Sequence, residues 1–331
     1  MNNLHVVIHN RKQNQYMTPS VLDNATLSYV ISGAPGKFIF KVYKDETLDF
    51  AEGDTVQVLY DETPIFFGFV FAKKRNKDKT IEVVAYDQLR YLKNKDSITY
   101  KNKKASDLIK MLAGDFKLKC GEIKDSEFVI KKRTEDNATL LDMIQWALDF
   151  TTMNTKKLFV LYDDCEKLML KEPSDLFVPI LIDSETAQDF SYESSIDKDV
   201  YNLVKLVQEN AETGEHQIFY APKSSSEYAN SENFKRWGVL QYYEKLTDTS
   251  MNPQVLANEL LKYYNEVSRN ISISNAIGDI RVRAGSMIAA ALNLGDVKVA
   301  QKMLVTEVKH TFSNNEHMMN LKLKGGIFNA K

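Results

Sequence analysis

The sequence predicts an α+β, mainly β protein made of two similar small antiparallel β-barrels with an α/β domain inserted between them. Three observations carry this. The first hundred residues alternate apolar and polar side chains with no long helical stretch. Helical spacing appears only after Leu92, and strand patterning resumes from Gln188. Finally, a hairpin-like segment near the N-terminus has a counterpart near the C-terminus. The expected units are residues 1–95, 96–190 and 191–331, the last with one helix at about 253–267.

In KFIFKVYKD, Phe38, Phe40 and Val42 share one face. EGDTVQVLYDETPIFFGFV follows as a hairpin turning at Asp61-Glu62-Thr63-Pro64, with Val56 and Val58 on one side. KRNKDKTIEVVAYD is a polar tip running into a strand. KNKDSITYKNKK reads as a basic linker. Ser106 is placed to cap a helix DLIKMLAG that ends near Gly114. Asn137 or Thr139 caps a second helix carrying Leu140, Leu141, Ile144 and Leu148. KLFVLYD and KLMLKEP are strands flanking a DDCE turn. DFSYESSI, VYNLVKLVQE and HQIFYAP are strands, and SSSEYANSEN is a loop. Asn252 caps the last helix, with Pro253 at its first position and Leu256, Leu260, Tyr263, Tyr264 and Val267 as its stripe. Strands complete the chain.

The repeat is read by setting Phe67–Tyr86 beside Val305–Lys324, which places Val70 on Val308, Ile81 on Met319, Val83 on Leu321 and Ala85 on Leu323. The basic tip with Arg75 and Lys77 then lies on Ser313-Asn314-Asn315-Glu316. Upstream, Gly53 and Gly285 each open a strand, and Gly68 lies within the first hairpin. Gly53 and Gly285 are expected to need positive φ or close backbone approach, so that valine at either costs soluble, assembly-competent protein.

Composition excludes several classes. Net charge is −2, with 44% apolar and 27% charged residues, as in a globular protein with no global affinity for polyanions. Cys120 and Cys165 fit no disulfide framework, which fits a reducing cytoplasm. No apolar run approaches the roughly 20 residues of a membrane span, and the N-terminus lacks a secretion signal.

Candidate chemistry is sparse. His310 and His317 flank the Asn314-Asn315 turn, so that Phe312 opposes His317 and His310 opposes Met319. Both fall in the apolar phase, and a zinc site needs a third protein ligand, whereas Glu316 points to the other face. The expected reading is a structural pair with no metal or cofactor, whose replacement by glutamine leaves assembly nearly intact. SGAPGKF departs from the phosphate loop: two residues rather than four separate its glycines, and Phe38 replaces the hydroxyl. In DDCE, neighbouring carboxylates raise the Cys165 thiol rather than activating it. Lys73–Lys104 holds eleven Lys/Arg against four Asp/Glu, a surface suited to single-stranded nucleic acid or, more commonly, to an acidic protein neighbour.

The segments GDIRVRAGS (Gly278–Ser286), MLVTEVKHTFSNNEHMMNLKL (Met303–Leu323), VYNLVKLV (Val200–Val207) and RWGVLQYYEKL (Arg236–Leu246) resemble the XkdQ/YqbQ-like family. EGDTVQVLYDETPIFFGFV and VVAYDQLRYLKN resemble it as well, so the likeness spans nearly the whole chain. Its members are baseplate hub proteins of contractile tails in Gram-positive phages, PBSX-like prophages and R-type bacteriocins such as diffocin. The resemblance implies a non-enzymatic homotrimer of two-barrel subunits. It would join the hexameric tail tube, or a tube-initiator protein, to the central spike and the inner baseplate or wedge proteins. It also implies residence in the bacterial cytoplasm during assembly and in the tail baseplate afterwards. The rival readings are a nucleic-acid-binding barrel protein and a tail-associated cell-wall hydrolase.

Overall fold

The computed structural model describes residues 4–197, 199–209, 215–246, 252–293 and 298–325. The first β unit contains β1 (Leu4–Asn10), β2 (Gln15–Met17), β3 (Ala25–Val30), β4 (Lys37–Tyr43), β5 (Thr55–Tyr60), β6 (Thr63–Arg75) and β7 (Thr80–Tyr86). A 3-10 turn at Gln88–Lys93 leads into a middle lobe of β8 (Lys95–Lys104), α1 (Ala105–Asp115), β9 (Cys120–Ile123), β10 (Val129–Thr139), α2 (Leu140–Thr155), β11 (Val160–Asp163) and β12 (Leu168–Lys171). β13 (Phe177–Ile182) and β14 (Ala187–Ser195) begin a second β unit. The chain then leaves through β15 (Leu203–Glu209), β16 (His216–Ala221), α3 (Ser225–Asn230), α4 (Glu232–Trp237), β17 (Gln241–Leu246) and α5 (Pro253–Tyr264). It returns to complete the second unit with β18 (Ser268–Ile277), β19 (Met287–Asn293), β20 (Lys298–Ser313) and β21 (Glu316–Lys324).

The two β units share one strand order. In the first it runs β3-β4-β7-β6-β5-β1, and in the second β14-β18-β21-β20-β19-β13. They differ at one end, where β1 is antiparallel to β5 but β13 is parallel to β19. Each buries one alternating face in its own core, the first around Phe38, Phe40, Phe66, Val56 and Val58, the second around Ile271, Ile273, Ile288, Val305 and Leu321. Among the described residues no ladder joins β1 to β3 or β13 to β14. A β20–β3 ladder, from Glu307 opposite Val30 to Phe312 opposite Ala25, joins the units into one thirteen-stranded sheet.

The hairpins align differently from the single-offset match read from the sequence. In β6–β7 the register slips between Val70 and Ala72, leaving Phe71 unopposed; in β20–β21 it slips between Val305 and Glu307, leaving Thr306. The matching bulges place Val70 on Val305, while the return strands keep Val83 on Leu321 and Ala85 on Leu323. The second hairpin is longer and closes on a tight two-residue turn, so one offset cannot fit both strands.

Several other expectations change. The supposed linker is β8, paired with β10, with Tyr100 2% exposed. Its charges lie on the outer face, and a distant partner strand supplies the order that local sequence does not. Ser106 is not the helix cap: its hydroxyl lies 3.3 Å from that of Ser126, and Asp107 accepts the Lys104 N–H at 3.1 Å instead. SSSEYANSEN is helical rather than loop, because Ser224 and Ser231 accept the N–H groups of Glu227 and Phe234 as consecutive caps. Thr139 caps α2, and Asn252 caps α5, as their positions require.

The expected boundary at 190/191 cuts through β14. Residues 96–190 and 191–331 therefore do not divide the core as the sequence texture does. Val204, Leu206, Leu246, Leu256 and Leu260 pack with Leu108, Ile144 and Leu148 in the middle lobe, while β13 and β14 belong to the second sheet. The segment α5 ends at Tyr264 rather than near 267. Strand periodicity within 200–246 gives no clue to which core it joins.

Candidate interaction surfaces

Each β unit is pinned by the same turn. In Ala51-Glu52-Gly53-Asp54 and Arg283-Ala284-Gly285-Ser286, the glycine has φ +91° and +93° respectively. Gly53 N–H donates to Val70 O and Gly285 N–H to Val305 O, both at 2.8 Å. The return bonds, Val70 N–H to Asp54 O and Val305 N–H to Ser286 O, are also 2.8 Å. Asp54 Oδ2 then accepts the Ala51 N–H at 2.7 Å, and Ser286 Oγ accepts the Arg283 N–H at 3.1 Å. Gly68 answers a different need: a Cβ there would run into Tyr86 O and the Phe66 ring.

His310 and His317 are 2% and 9% exposed, and they hydrogen-bond to each other, His310 Nδ1 to His317 Nε2 at 2.9 Å. His310 Nε2 lies 2.9 Å from Val282 O. A carbonyl only accepts, so His310 carries its hydrogen on Nε2 and His317 Nε2–H donates to His310 Nδ1. Burial drives His310 down to about 3, with the neighbouring His317 adding to it; burial also drives His317 down to about 4. His317 packs on Gly278 and between Phe312 and Tyr60. Among the described residues no group of three or more His, Cys, Asp or Glu side chains is placed to hold a metal ion.

Because both histidines stay neutral in the fold, their stabilisation is present above about pH 6.5 and is lost as pH falls toward 4. The double variant His310→Gln/His317→Gln should therefore melt lower than wild type at pH 7.5, by roughly 1–3 kcal/mol for the lost buried hydrogen bonds. Its stability should change less between pH 6.5 and 4. That cost exceeds the near-neutral outcome expected from sequence, because the pair is a fully buried network rather than an open tip. Melting at both pH values checks this.

The turn residues Asn314 and Asn315 sit at φ 52° and 62°, the left-handed pair of a tight hairpin turn. The Asn314 N–H donates to Asp23 Oδ1 at 2.9 Å, and Phe312 enters the first unit's core. This tip is therefore part of the joint between the units. The equivalent first tip is free of such contacts: Lys74, Arg75 and Lys77 are exposed, and none is ion-paired among the described residues. Lys73 instead folds back, with its Nζ donating to Phe50 O and lying 3.8 Å from Glu52.

A polar knot that sequence reasoning missed lies where the three parts meet. Arg283 Nη2 donates to Asp163 O at 2.6 Å, and its guanidinium lies 3.9 Å from the Tyr162 ring centroid and 5.1 Å from that of Tyr29. Gly36 N–H and Leu89 N–H donate to the two oxygens of Asp87, while Gln88 Nε2 and Glu166 N–H donate to those of Asp163. Burial raises Asp87 well above the usual carboxylate range, with Asp163 adding to it, and pushes Asp163 up to about 6. All four carboxylate oxygens hold protein N–H groups. The glycine loop that resembled a phosphate site thus serves Asp87. Burial first, then Asp164 and Asp163, pushes Cys165 up to about 11, away from thiolate chemistry. The arginine is visible within GDIRVRAGS, but nothing local marks it as drawn in between the units.

A cavity of about 30 Å³ between the second tip and the first unit is lined by Leu4, Asp23, Tyr60, Phe312 and Glu316. It is far below the roughly 300 Å³ at which small-molecule sites begin. No described helix is long and apolar enough to cross a membrane.

The whole architecture is similar to that of a solved prophage tail protein. The 43 kDa tail protein of prophage MuSo2 from Shewanella oneidensis superposes with a TM-score of 0.66 at 9% identity, covering 96% of this chain and 98% of that one. The YqbQ-like family model matches residues 25–324, and the chain belongs to that family. Two Bacillus subtilis proteins are similar in sequence. The uncharacterized protein YqbQ is 29% identical over 276 residues, and the phage-like element PBSX protein XkdQ is 27% identical over 278. Each alignment covers 82% of this chain and 81% of the relative.

Proposed function

We propose that this chain is the baseplate hub of a contractile tail, a homotrimeric adaptor between a six-fold tail tube and a three-fold central spike. One observation carries the reading: the two β units repeat the same strand order and the same glycine turn within a single chain. Three copies then present six similar units, which reconciles a hexameric ring with a trimeric axis. In this arrangement the two units alternate around the ring. The middle lobe, with β15–β17 and α5, stands outside and meets inner baseplate or wedge proteins.

The role is structural rather than catalytic, and the fold shared with the prophage MuSo2 tail protein supports it. The chain would be made in the bacterial cytoplasm and end in the tail of a phage, prophage particle or bacteriocin. Nothing in the site geometry favours a hydrolase or a nucleic-acid binder over this reading. Co-expression with the spike protein from the same gene cluster, followed by light scattering, should give three copies of this chain per spike. A complex with one copy of this chain per three-fold spike, or no complex, contradicts it.

A further inference from the structure

Resting on the trimeric reading, we propose that one copy joins the next by strand pairing: the edge strand β14 adds antiparallel to the unpaired stretch of β6 beyond its bulge, with Glu193 opposite Lys74. The joint inside the chain is the template. In the second unit β20 pairs first with β19 and then, past its bulge, with β3 of the first unit. In the first unit β6 pairs first with β5, but past its bulge its outer edge has no ladder partner among the described residues. At the other end β14 pairs, among the described residues, only with β18. The shared order puts β6 where β20 stands and β14 where β3 stands. The sheet therefore leaves open, at β14 and along the far part of β6, the two halves of a joint it has already made once.

The register follows from the ladders. The matching bulges set Ala72 on Glu307 and Lys74 on Lys309. Phe38 lies opposite Ala85 and Ile271 opposite Leu323, while Leu27 lies opposite Phe38 and Tyr192 opposite Ile271. Leu27 therefore corresponds to Tyr192, Ser28 to Glu193 and Val30 to Ser195. Inside the chain Lys309 faces Ser28 and Glu307 faces Val30. Between copies, Lys74 then faces Glu193 and Ala72 faces Ser195. Ile31 N–H donates to Thr306 O at 2.9 Å, which makes the adjacent Glu307–Val30 position a close, non-hydrogen-bonded pair. The Ala72–Ser195 and Lys74–Glu193 positions inherit that closeness, with Cα atoms roughly 4.5 Å apart.

Charge distinguishes the two joints. The internal partner strand ATLSYV is uncharged, whereas β14 carries Asp189 and Glu193, with Asp197 just beyond. All three are exposed, as are Lys74, Arg75 and Lys77 on the facing tip. A tethered joint forms without steering, but a joint between separate copies gains encounter rate and register from opposite charges. Pairing also covers two open strand edges that would otherwise invite non-specific association.

The test uses assembled tails carrying Ala72→Cys and Ser195→Cys in a background with Cys120→Ser and Cys165→Ser. Mild oxidation should link copies into a species three times the chain mass, and neither single cysteine should do so. Lys74→Glu or Glu193→Lys alone should lower trimer yield by at least roughly tenfold, and the two together should restore it. Trimers that neither cross-link nor respond to the charge reversals overturn the strand pairing while leaving the adaptor reading standing. Wild-type tails that contain no trimer of this chain overturn both.

Discussion

Gly285→Val should leave almost no soluble protein, while Gly53→Val should fold with a lowered melting temperature. The two glycines share a turn, a φ near +90° and the same pair of backbone bonds. A β-branched residue at that φ costs roughly 1–3 kcal/mol of backbone strain at either site. The difference lies in what a side chain meets. At Gly53 there is nothing within 4 Å, so strain is the whole cost. At Gly285 a Cβ would stand 2.6 Å from Val160 Cγ1, and Val160 is 2% exposed on β11 of the middle lobe. Overpacking adds roughly another 1–3 kcal/mol and pushes the second unit away from the lobe. A domain stability of roughly 5–15 kcal/mol leaves little after such a loss. Soluble yield and thermal melting of the two variants side by side check it; equal yield and melting would mean that the contact with Val160 adds nothing to the strain of the turn.

Arg283→Ala should cost about 1–3 kcal/mol, for the lost charged hydrogen bond to Asp163 O and the lost packing on the Tyr162 ring. Lysine should not rescue it, because an ammonium cannot lie flat on Tyr162 while donating to Asp163 O. The loss should depend on pH in a defined direction. Asp163 and Asp87 are already raised by burial, so their fit to the fold is best below about pH 4; for Asp163 it weakens as pH rises through about 6, and for Asp87 it weakens likewise as that carboxyl ionises. Arg283 opposes that rise for both carboxyls. Without it they climb further, and the penalty for ionising them at neutral pH grows. The gap in melting temperature between wild type and Arg283→Ala should therefore be wider at pH 8 than at pH 5. A pH-independent gap would show that the arginine acts through packing alone.

Local chemistry explains which features were legible. Phe38, Phe40 and Val42 announce a half-buried strand because a period of two is written into one short segment. Asn314-Asn315 fixes the hairpin register, and with it the facing of His310 and His317, because left-handed turns accept few residues. The glycines marked the repeat because a positive φ restricts the residue type. What stayed hidden depends on partners distant in sequence. β8 looks like a charged linker until β10 covers one face. Val204 and Leu256 carry ordinary apolar periodicity, which does not say which of three cores receives it. Arg283 reads as a surface charge, and only the meeting of Tyr29, Asp87 and Tyr162 from other elements makes it a centre. The bulges at Phe71 and Thr306, which correct the alignment of the repeat, exist only as a slip between two ladders.

The duplicated β unit as a symmetry adaptor is tested most directly by a reconstruction of the baseplate from tails that contain this chain. Three copies should form one closed ring, with Leu4–Tyr86 and the unit built from β13, β14 and β18–β21 alternating as six similar positions and the middle lobe outside. Six copies in that ring, or the two units of each copy stacked along the tail axis, would contradict it.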